Sequence, residues 1–269
     1  MLIDTHTHIY LNKKFSEQEI ISNLGSDSID KIISIGIDLK TSQKSIDLAI
    51  ANPKIIYATI GIHPTDIKQY KGNLDETIIS LEKMYLENKD FVKGIGECGF
   101  DFHWIDKDNF QEEKELQEAF FSAQIELALK YDLPIIVHSR NSKEDTLRVL
   151  KKLNAKKFIL HCYSEDLDFA YRAIYFSSEC KISFSGIVTY KSAPTIQNTA
   201  ANIPLDRILV ETDCPFLPPQ DVRGSENIPN NTKYNLKKVF DLRQANGKKE
   251  TWEEFEKQVY ENSMKIFDI

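Results

Sequence analysis

Short apolar runs alternate with amphipathic segments along almost the whole chain. Eight of the runs are rich in Ile, Val, Leu and Phe and have the length of strands, at residues 2–9, 31–37, 54–62, 91–97, 133–138, 157–162, 181–186 and 207–212. Runs this apolar are typical of strands that are buried on both faces, as in a parallel sheet covered by helices. The pattern therefore predicts an α/β protein.

Helical periodicity fills the segments between these runs. It is clearest at 110–130, where apolar residues recur at the steps of one helix face and Gln, Glu and Lys lie between them: Leu116, Phe120, Ala123 and Leu127. A last helix is predicted at 251–267. Strands and helices that alternate in this way favour a (β/α)8 barrel, and no linker divides the pattern. We therefore expect a single domain over residues 1–269.

Composition and charge limit the class of protein. With 41% hydrophobic and 28% charged residues the chain has an ordinary globular composition, and no apolar stretch reaches the roughly 20 residues of a membrane span. The first residues do not resemble a signal peptide, so we expect a cytoplasmic protein without a membrane partner. A net charge of -7 argues against nonspecific binding of many phosphates, but not against a phosphodiester substrate held at bound cations.

Six candidate metal ligands stand at or near the downstream ends of predicted strands: His6, His8, Glu97, His138, His161 and Asp213. Chemistry in a (β/α)8 barrel takes place at the carboxyl ends of the strands, so these side chains should meet at one mouth. His6 and His8 lie two residues apart, and strand alternation points both the same way. One such histidine is usually a hydrogen-bonded core residue, whereas the whole set indicates a metal centre.

Four imidazoles and two carboxylates can hold two divalent cations if one carboxylate is shared. Glu97 lies in the chain between the two histidine groups, and each of its oxygens can bind one ion. We therefore predict one ion at His6, His8, Glu97 and Asp213, and a second at Glu97, His138 and His161. Ligands this rich in nitrogen favour Zn, Mn, Ni or Fe over Mg.

The predicted catalytic residues are Glu97 and Asp213. Two cations would lower the pKa of a bridging water, so that hydroxide attacks the substrate while the ions offset the charge that develops. Asp213 would use one oxygen for the metal and the other to take the proton from that water. Asp4, two residues before His6, is expected to be a hydrogen-bond acceptor behind the ligands.

In chain order, the motifs resemble those of the TatD family of metal-dependent deoxyribonucleases, within the amidohydrolase superfamily. They are Asp-Thr-His-Thr-His at 4–8, Gly-Ile-His-Pro at 61–64, Gly-Glu-Cys-Gly-Phe-Asp at 96–101, His-Ser-Arg at 138–140, His-Cys at 161–162 and Glu-Thr-Asp-Cys-Pro-Phe-Leu at 211–217. The resemblance implies hydrolysis of DNA phosphodiesters, usually as a 3′-to-5′ exonuclease on single strands. Some relatives are said to deacylate D-aminoacyl-tRNA, so such a carbonyl hydrolase is the alternative, and a non-catalytic metal-binding protein is a third reading.

Three further residues are predicted to bind the substrate: His63, Arg140 and Arg223. His63 resembles the family's substrate-side histidine, with a third metal ligand or a packing residue as alternatives. Arg140 should face the mouth and contact a phosphate, unless it pairs with Glu211. Arg223 belongs to the loop at 217–232, which is expected to lie over the mouth. Where the family commonly has Arg-Gly-Lys-Arg-Asn-Glu-Pro, residues 223–229 read Arg-Gly-Ser-Glu-Asn-Ile-Pro, which predicts a weaker hold on a long nucleic acid.

Cysteines and aromatic residues near the motifs leave other possibilities. Three cysteines each follow a candidate ligand, and strand alternation predicts that they turn away from the site and pack in the core: Cys98, Cys162 and Cys214. Three aromatic residues are candidates for stacking with nucleic-acid bases, with packing within loops as the alternative: Phe102, Trp104 and Tyr163.

Overall fold

Eight parallel strands form the centre of the computed structural model, which describes residues 1–27 and 29–269. They are β1 Leu2–Thr7, β2 Ile29–Ile35, β3 Ile56–Ile60, β4 Val92–Asp101, β5 Ile135–Arg140, β6 Phe158–Leu160, β7 Lys181–Phe184 and β8 Ile208–Val210. Each strand pairs with the next one along the chain. A bridge between Thr7 and Cys214 joins the first and last strands, and the predicted (β/α)8 barrel is confirmed.

Helices surround this sheet and follow the strands in sequence. They are α1 Glu17–Asn23, α2 Leu39–Ala51, α3 Leu74–Glu87, α4 Phe110–Lys130, α5 Lys143–Lys152, α6 Leu167–Phe176, α7 Pro194–Asn202, α8 Thr232–Ala245 and α9 Trp252–Phe267. The helix predicted at 110–130 has those bounds. The last helix begins one residue later than predicted, because Thr251 is its N-cap and exchanges hydrogen bonds with Glu254. Among the residues described, no helix is long and apolar enough to cross a membrane.

Helix α4 buries two polar residues that its sequence pattern had placed on the outer face. Gln117 pairs with the backbone of Asp101, accepting from its N–H at 3.0 Å and donating to its carbonyl at 3.2 Å. Gln124 does the same for Ile62, at 2.8 and 3.1 Å. Both amides satisfy backbone groups that the sheet leaves unpaired. They fix the segments that precede His63 and follow Glu97.

Strand β4 is longer than predicted and continues past Glu97 to Asp101. Its register against β5 shifts between Ile95 and Cys98, so the strand bulges where Glu97 lies. Gly99, at φ +145°, then pairs with His138, and a Cβ at this position would lie 2.0 Å from the His138 carbonyl oxygen. The bulge and the glycine bring Glu97 and Asp101 to the same mouth as His138.

The amino-terminal end of the barrel is filled by apolar side chains. Ile33, Ile136, Ile159 and Leu209 form a buried cluster separate from the layer between the sheet and its helices. The end of helix α9 packs against this cluster through Phe267. The amino-terminal end of the barrel is therefore closed by apolar side chains. The functional end is the one at the carboxyl ends of the strands.

Lys181 is buried at the start of β7. The pKa of its amino group provides a test of the packing at the amino-terminal end of the barrel. Its Nζ donates to the Asp206 carbonyl at 2.5 Å, and burial lowers the pKa of Lys181 to about 8. An unfolded lysine titrates at about 10.4. Between these values the unfolded chain binds more protons, so the free energy of unfolding rises with pH.

Lys181→Met removes this contribution, so its melting temperature relative to wild type should fall as the pH rises from about 7.5 to about 10. Thermal unfolding followed by circular dichroism measures the difference, with the exposed Lys249→Met as the control. A difference that stays constant over this range would contradict the assignment.

Candidate metal centre and active site

The carboxyl ends of the strands surround a cavity of about 690 Å³. Seven of the predicted site residues line it: His8, His63, Glu97, His138, Arg140, His161 and Asp213. His6 is fully buried beneath them, with its Nε2 3.1 Å from His8 Nε2. The structure thus brings all six predicted metal ligands together, and His63 with them.

Backbone hydrogen bonds continue beyond the last paired residues of the strands and hold the ligands in place. His161 directly follows β6, and its N–H donates to the Val137 carbonyl at 3.2 Å. Asp213 lies beyond β8 in the left-handed region at φ 56°, and its N–H donates to the His6 carbonyl at 3.0 Å. The chain therefore turns at Asp213 and directs this carboxylate towards His6 and His8.

Glu97 lies between two groups of histidines, and each of its oxygens faces one group. Oε2 is 3.2 Å from His6 Nε2 and 3.7 Å from His8 Nε2. Oε1 is 2.7 Å from His161 Nε2 and 2.8 Å from His138 Nδ1. The carboxylate thus spans two adjacent clusters of nitrogen atoms.

Asp213 adds a second carboxylate to the first of these groups. Its Oδ1 is 3.6 Å from His6 Nε2 and 3.5 Å from His8 Nε2. The side chain also faces the cavity, where 14% of it is exposed. Asp213 can therefore reach both the buried ligands and a molecule in the cavity.

The protonation of His8 follows from the residue behind it. Tyr10 donates its only hydroxyl hydrogen to the Ile35 carbonyl, at an oxygen-to-oxygen distance of 2.6 Å. The Tyr10 oxygen therefore accepts from His8 Nδ1, which is 3.1 Å away. In the neutral tautomer that this bond selects, the unshared electron pair is on His8 Nε2, the atom that faces Glu97 and Asp213.

Carboxylates also lie behind His138, to which Asp101 is hydrogen-bonded, and behind His161, which Glu211 approaches as an ion pair. Asp101 Oδ2 is 3.1 Å from His138 Nε2, and Glu211 Oε1 is 3.4 Å from His161 Nδ1. A carboxylate behind one ring nitrogen holds a proton there and leaves the other nitrogen free to bind a metal. In both residues that other nitrogen faces Glu97.

The ionisable groups of the site shift one another's pKa values in directions that favour positive charge next to the carboxylates. Burial alone would raise the pKa of Glu97, but electrostatic interactions with the surrounding histidines, of which His161 is the largest, outweigh it and hold that pKa well below its usual value. Burial would lower the pKa of His161, yet Glu97 and Glu211 raise it well above its usual value. Burial and the neighbouring His161 lower the pKa of His6 and favour its neutral form.

This donor set fits divalent transition metals. Imidazole nitrogens face carboxylate oxygens, an arrangement that is favourable only when a proton or a cation lies between them. Nitrogen and oxygen ligands backed by further hydrogen-bonding groups are typical of Zn and related ions. Within the described part of the chain, three groups of side chains are close enough to hold an ion: His6, His8 and Glu97; His63, Glu97 and His138; His6, His161 and Glu211.

Asp4 fastens the first strand to the last one behind the ligands. It accepts hydrogen bonds from the Thr212 N–H at 2.8 Å, the Thr212 hydroxyl at 2.5 Å and the His6 N–H at 3.3 Å. Burial raises the pKa of Asp4 to about 8. Because Thr212 precedes Asp213, these bonds set the relative positions of His6 and Asp213.

The three predicted substrate contacts occupy different positions. His63 Nε2 is 3.3 Å from Glu97 Oε1, so the side chain stands beside the ligands and faces the cavity. Arg140 also lines the cavity, with its guanidinium 5.9 Å from the centre of the Trp104 ring. The alternative of an Arg140 pair with Glu211 is not what the structure has, because Glu211 is fully buried against His161.

Arg223 lies away from the cavity lining, with its guanidinium over the Tyr190 ring at 5.3 Å. The loop at 217–232 touches the cavity at its start, through Leu217. Further along, Glu226 accepts from the Lys13 N–H at 2.6 Å and so joins this loop to the one after β1. Glu226 is thus bonded to the backbone of Lys13. The family that the motifs resemble commonly has a basic residue at this position.

The prediction that three cysteines turn away from the site is wrong for Cys162. Cys98 and Cys214 are buried in the core, but Cys162 lines the cavity. Strand β6 ends at Leu160, so strand alternation no longer applies two residues later. Burial raises the Cys162 pKa well above its usual value, which keeps the thiol neutral and a poor nucleophile.

Sequence reasoning did not connect three residues with the histidines that they face: Tyr10, Asp101 and Glu211. A signal existed for two of them. Asp101 ends the Gly-Glu-Cys-Gly-Phe-Asp motif and Glu211 begins Glu-Thr-Asp, so each lies close to a predicted ligand. For Tyr10, the contact with His8 depends on the chain turning after β1.

Comparison with known proteins identifies the family. A family model described as TatD related DNase matches residues 3–268. The chain is 33% identical over 272 residues to the metal-dependent hydrolase YabD of Bacillus subtilis, with 100% of each chain covered. It is also 33% identical over 237 residues to a metal-dependent hydrolase of Mycoplasma pneumoniae, which covers 87% of this chain and 86% of the relative.

Solved structures agree with this relationship. The chain superposes on YjjV, a TatD homolog from Escherichia coli K12, with a TM-score of 0.87 and 25% identity, over 100% of this chain and 98% of that one. A TatD family hydrolase from Entamoeba histolytica shares the fold, with a TM-score of 0.81 and 20% identity over 99% of this chain and 97% of its own. The fold and the site define a metal-dependent hydrolase. The chain belongs to the TatD family.

Proposed function

We propose that the protein hydrolyses phosphodiester bonds of DNA, as a 3′-to-5′ exonuclease acting on single strands. The observation that carries this proposal is the position of Glu97, whose two oxygens each face a separate pair of histidines. Paired metal sites that share a ligand are typical of nucleases and phosphatases. Membership of a family described as TatD related DNase supports the choice of DNA.

The predicted ligand sets form the proposed metal centre. His6, His8, Glu97 and Asp213 would hold one divalent cation, and Glu97, His138 and His161 the other. When bound, the cations would lower the pKa of a water molecule and offset the negative charge that develops on the phosphoryl group. The nitrogen ligands favour Zn, Mn, Ni and Fe over Mg.

The protein's own groups would move the proton and orient the phosphate. Asp213 has one oxygen directed towards His6 and His8 and a side chain that reaches the cavity. It would take the proton from the attacking water and pass it to the departing 3′ oxygen. His63 Nε2 and the Arg140 guanidinium both face the cavity and would donate to the phosphate oxygens.

Labelled substrates test the function directly. Metal-loaded protein should shorten a single-stranded oligodeoxynucleotide labelled at its 5′ end, from the 3′ end and one nucleotide at a time. Chelation should abolish the activity, and added Mn²⁺ or Zn²⁺ should restore it. In parallel, the protein is incubated with D-aminoacyl-tRNA, the substrate of the alternative carbonyl hydrolase. Deacylation without DNA cleavage would overturn the proposal, because the same metal centre can attack an ester carbonyl.

A further inference from the structure

Trp104 is an exposed indole at the edge of the active-site cavity. Its side chain is 66% exposed and lines both the main cavity and a second cavity of about 340 Å³ beside it. The backbone N–H of Trp104 donates to Asp101 Oδ1 at 3.2 Å, and the other oxygen of that carboxylate faces His138. The backbone that carries the indole is therefore held to a residue that contacts the proposed metal centre, while the ring itself is solvent-exposed.

The other two aromatic residues considered for base stacking are packed against the rest of the protein. Tyr163 is 3% exposed, and its hydroxyl donates to the Asp166 carbonyl at 2.5 Å. Phe102 packs edge-on against Phe100 and Phe110 at ring distances of 5.5 and 5.3 Å. Of the three candidates, Trp104 alone presents its ring to the cavity.

The guanidinium of Arg140 lies over this ring, so an aromatic surface and a positive charge occur together. The Arg140 guanidinium lies 5.9 Å from the Trp104 ring centre, and both side chains line the main cavity. A flat apolar face next to a planar cation matches a nucleotide, in which a base adjoins a phosphate. The two side chains can thus bind one base and one phosphate of the same nucleotide.

The surface beyond Trp104 disfavours further phosphates. The second cavity is lined by the carboxylates of Asp101 and Glu113, and its lysine, Lys68, is paired with Glu113 at 2.6 Å. The loop that carries Trp104 continues with the exposed Asp106, Lys107 and Asp108, whose formal charges leave one net negative charge. A polyanionic chain that continued past the indole would meet this negative charge within a Debye length.

We propose that Trp104 stacks with the base of the terminal nucleotide of a single strand, while Arg140 contacts the phosphate that links it to the next one. The proposal rests on the proposed nuclease function and adds to it the site of the strand end. The negative surface behind Trp104 explains why one nucleotide, and not a continuing strand, would occupy this side. Stacking on an aromatic ring tolerates any base, so cleavage should depend little on sequence.

Oligonucleotides with an abasic site test the proposal by kinetics. Trp104→Ala should raise KM for an ordinary single strand at least about fivefold, since loss of one base–aromatic stack has an effect of this size or larger. With the same strand abasic at its 3′-terminal position, wild type and Trp104→Ala should have the same KM. With the abasic site moved to the interior, the difference should return. Trp104→Phe should retain most of the affinity, and Tyr175→Ala, which removes another exposed aromatic residue, should change nothing.

Fluorescence measures the stacking without catalysis. The chain has two tryptophans, and the second, Trp252, packs against Phe240 and Phe255. In a protein that carries both Trp252→Phe and Asp213→Asn, Trp104 is the one remaining tryptophan and is the source of the tryptophan fluorescence. A short oligothymidylate should quench it, whereas the same chain with an abasic 3′ end should bind without quenching.

The outcomes separate this proposal from the proposed function. If wild type cleaves none of the DNA substrates, the nuclease function fails. If wild type cleaves DNA but Trp104→Ala loses the same affinity for terminally abasic and intact strands, the terminal stacking site is overturned. Absence of quenching by an oligothymidylate that demonstrably binds would overturn it as well.

Discussion

Glu97→Ala is expected to lower the rate of hydrolysis by at least about 1,000-fold, because both proposed metal sites lose a shared ligand. In the structure this carboxylate faces His6 and His8 through one oxygen and His138 and His161 through the other. The variant should therefore contain less of both metals, measured per chain by elemental analysis after purification in a metal-supplemented medium.

Glu87→Ala is the matched control for this variant. Glu87 ends helix α3, and its side chain is 62% exposed. Its removal should leave metal content and turnover unchanged. Full metal occupancy in Glu97→Ala would exclude a shared ligand, whatever happens to its turnover.

Asp213→Asn is expected to lower kcat by at least about 100-fold while part of the metal remains bound. The amide oxygen can still reach His6 and His8 as a weak ligand, but the amide cannot accept a proton from water. Single-turnover rates and elemental analysis on the same preparation separate the two roles. Asp221→Asn, an exposed acid in the loop after β8, serves as the control.

Two results would contradict the role given to Asp213. Near-normal turnover with retained metal would remove it from proton transfer. Complete loss of metal would make its role purely structural, because no proton acceptor could then be distinguished from a ligand.

The barrel was predictable because its strands carry an unusually regular signal. Runs such as 135–137 are apolar at consecutive positions, as expected for strands covered on both faces, and the helix at 110–130 repeats its apolar residues with helical spacing. The meeting of the candidate ligands at one mouth then followed from the fold. Once His138 and His161 end successive strands, barrel geometry brings them to the same mouth.

Features that depend on departures from regular structure were not predictable. The side-chain amides of Gln117 and Gln124 face inward because they satisfy backbone groups of Asp101 and Ile62, which the helix pattern does not encode. Cys162 faces the cavity because β6 ends before it. Hydrogen bonding to the backbone overrides the helix pattern in the first case, and the end of the strand removes the alternation of faces in the second.

The surroundings of Arg140 were also only partly predictable from the sequence. The spacing from His138 indicated that it would face the mouth, which it does. Its neighbour could not be inferred, because Trp104 belongs to the loop after β4 and the course of that loop depends on the bulge at Glu97. The aromatic face of the proposed nucleotide site is thus a tertiary feature.

Anomalous diffraction from crystals grown with Mn²⁺ is the most direct test of the metal centre. The account predicts two peaks at the barrel mouth, with Glu97 bound to both. One should lie about 2.0–2.3 Å from ligand atoms of His6, His8 and Asp213, and the other equally close to His138 and His161. A single peak, or two peaks of which Glu97 contacts only one, would contradict the account.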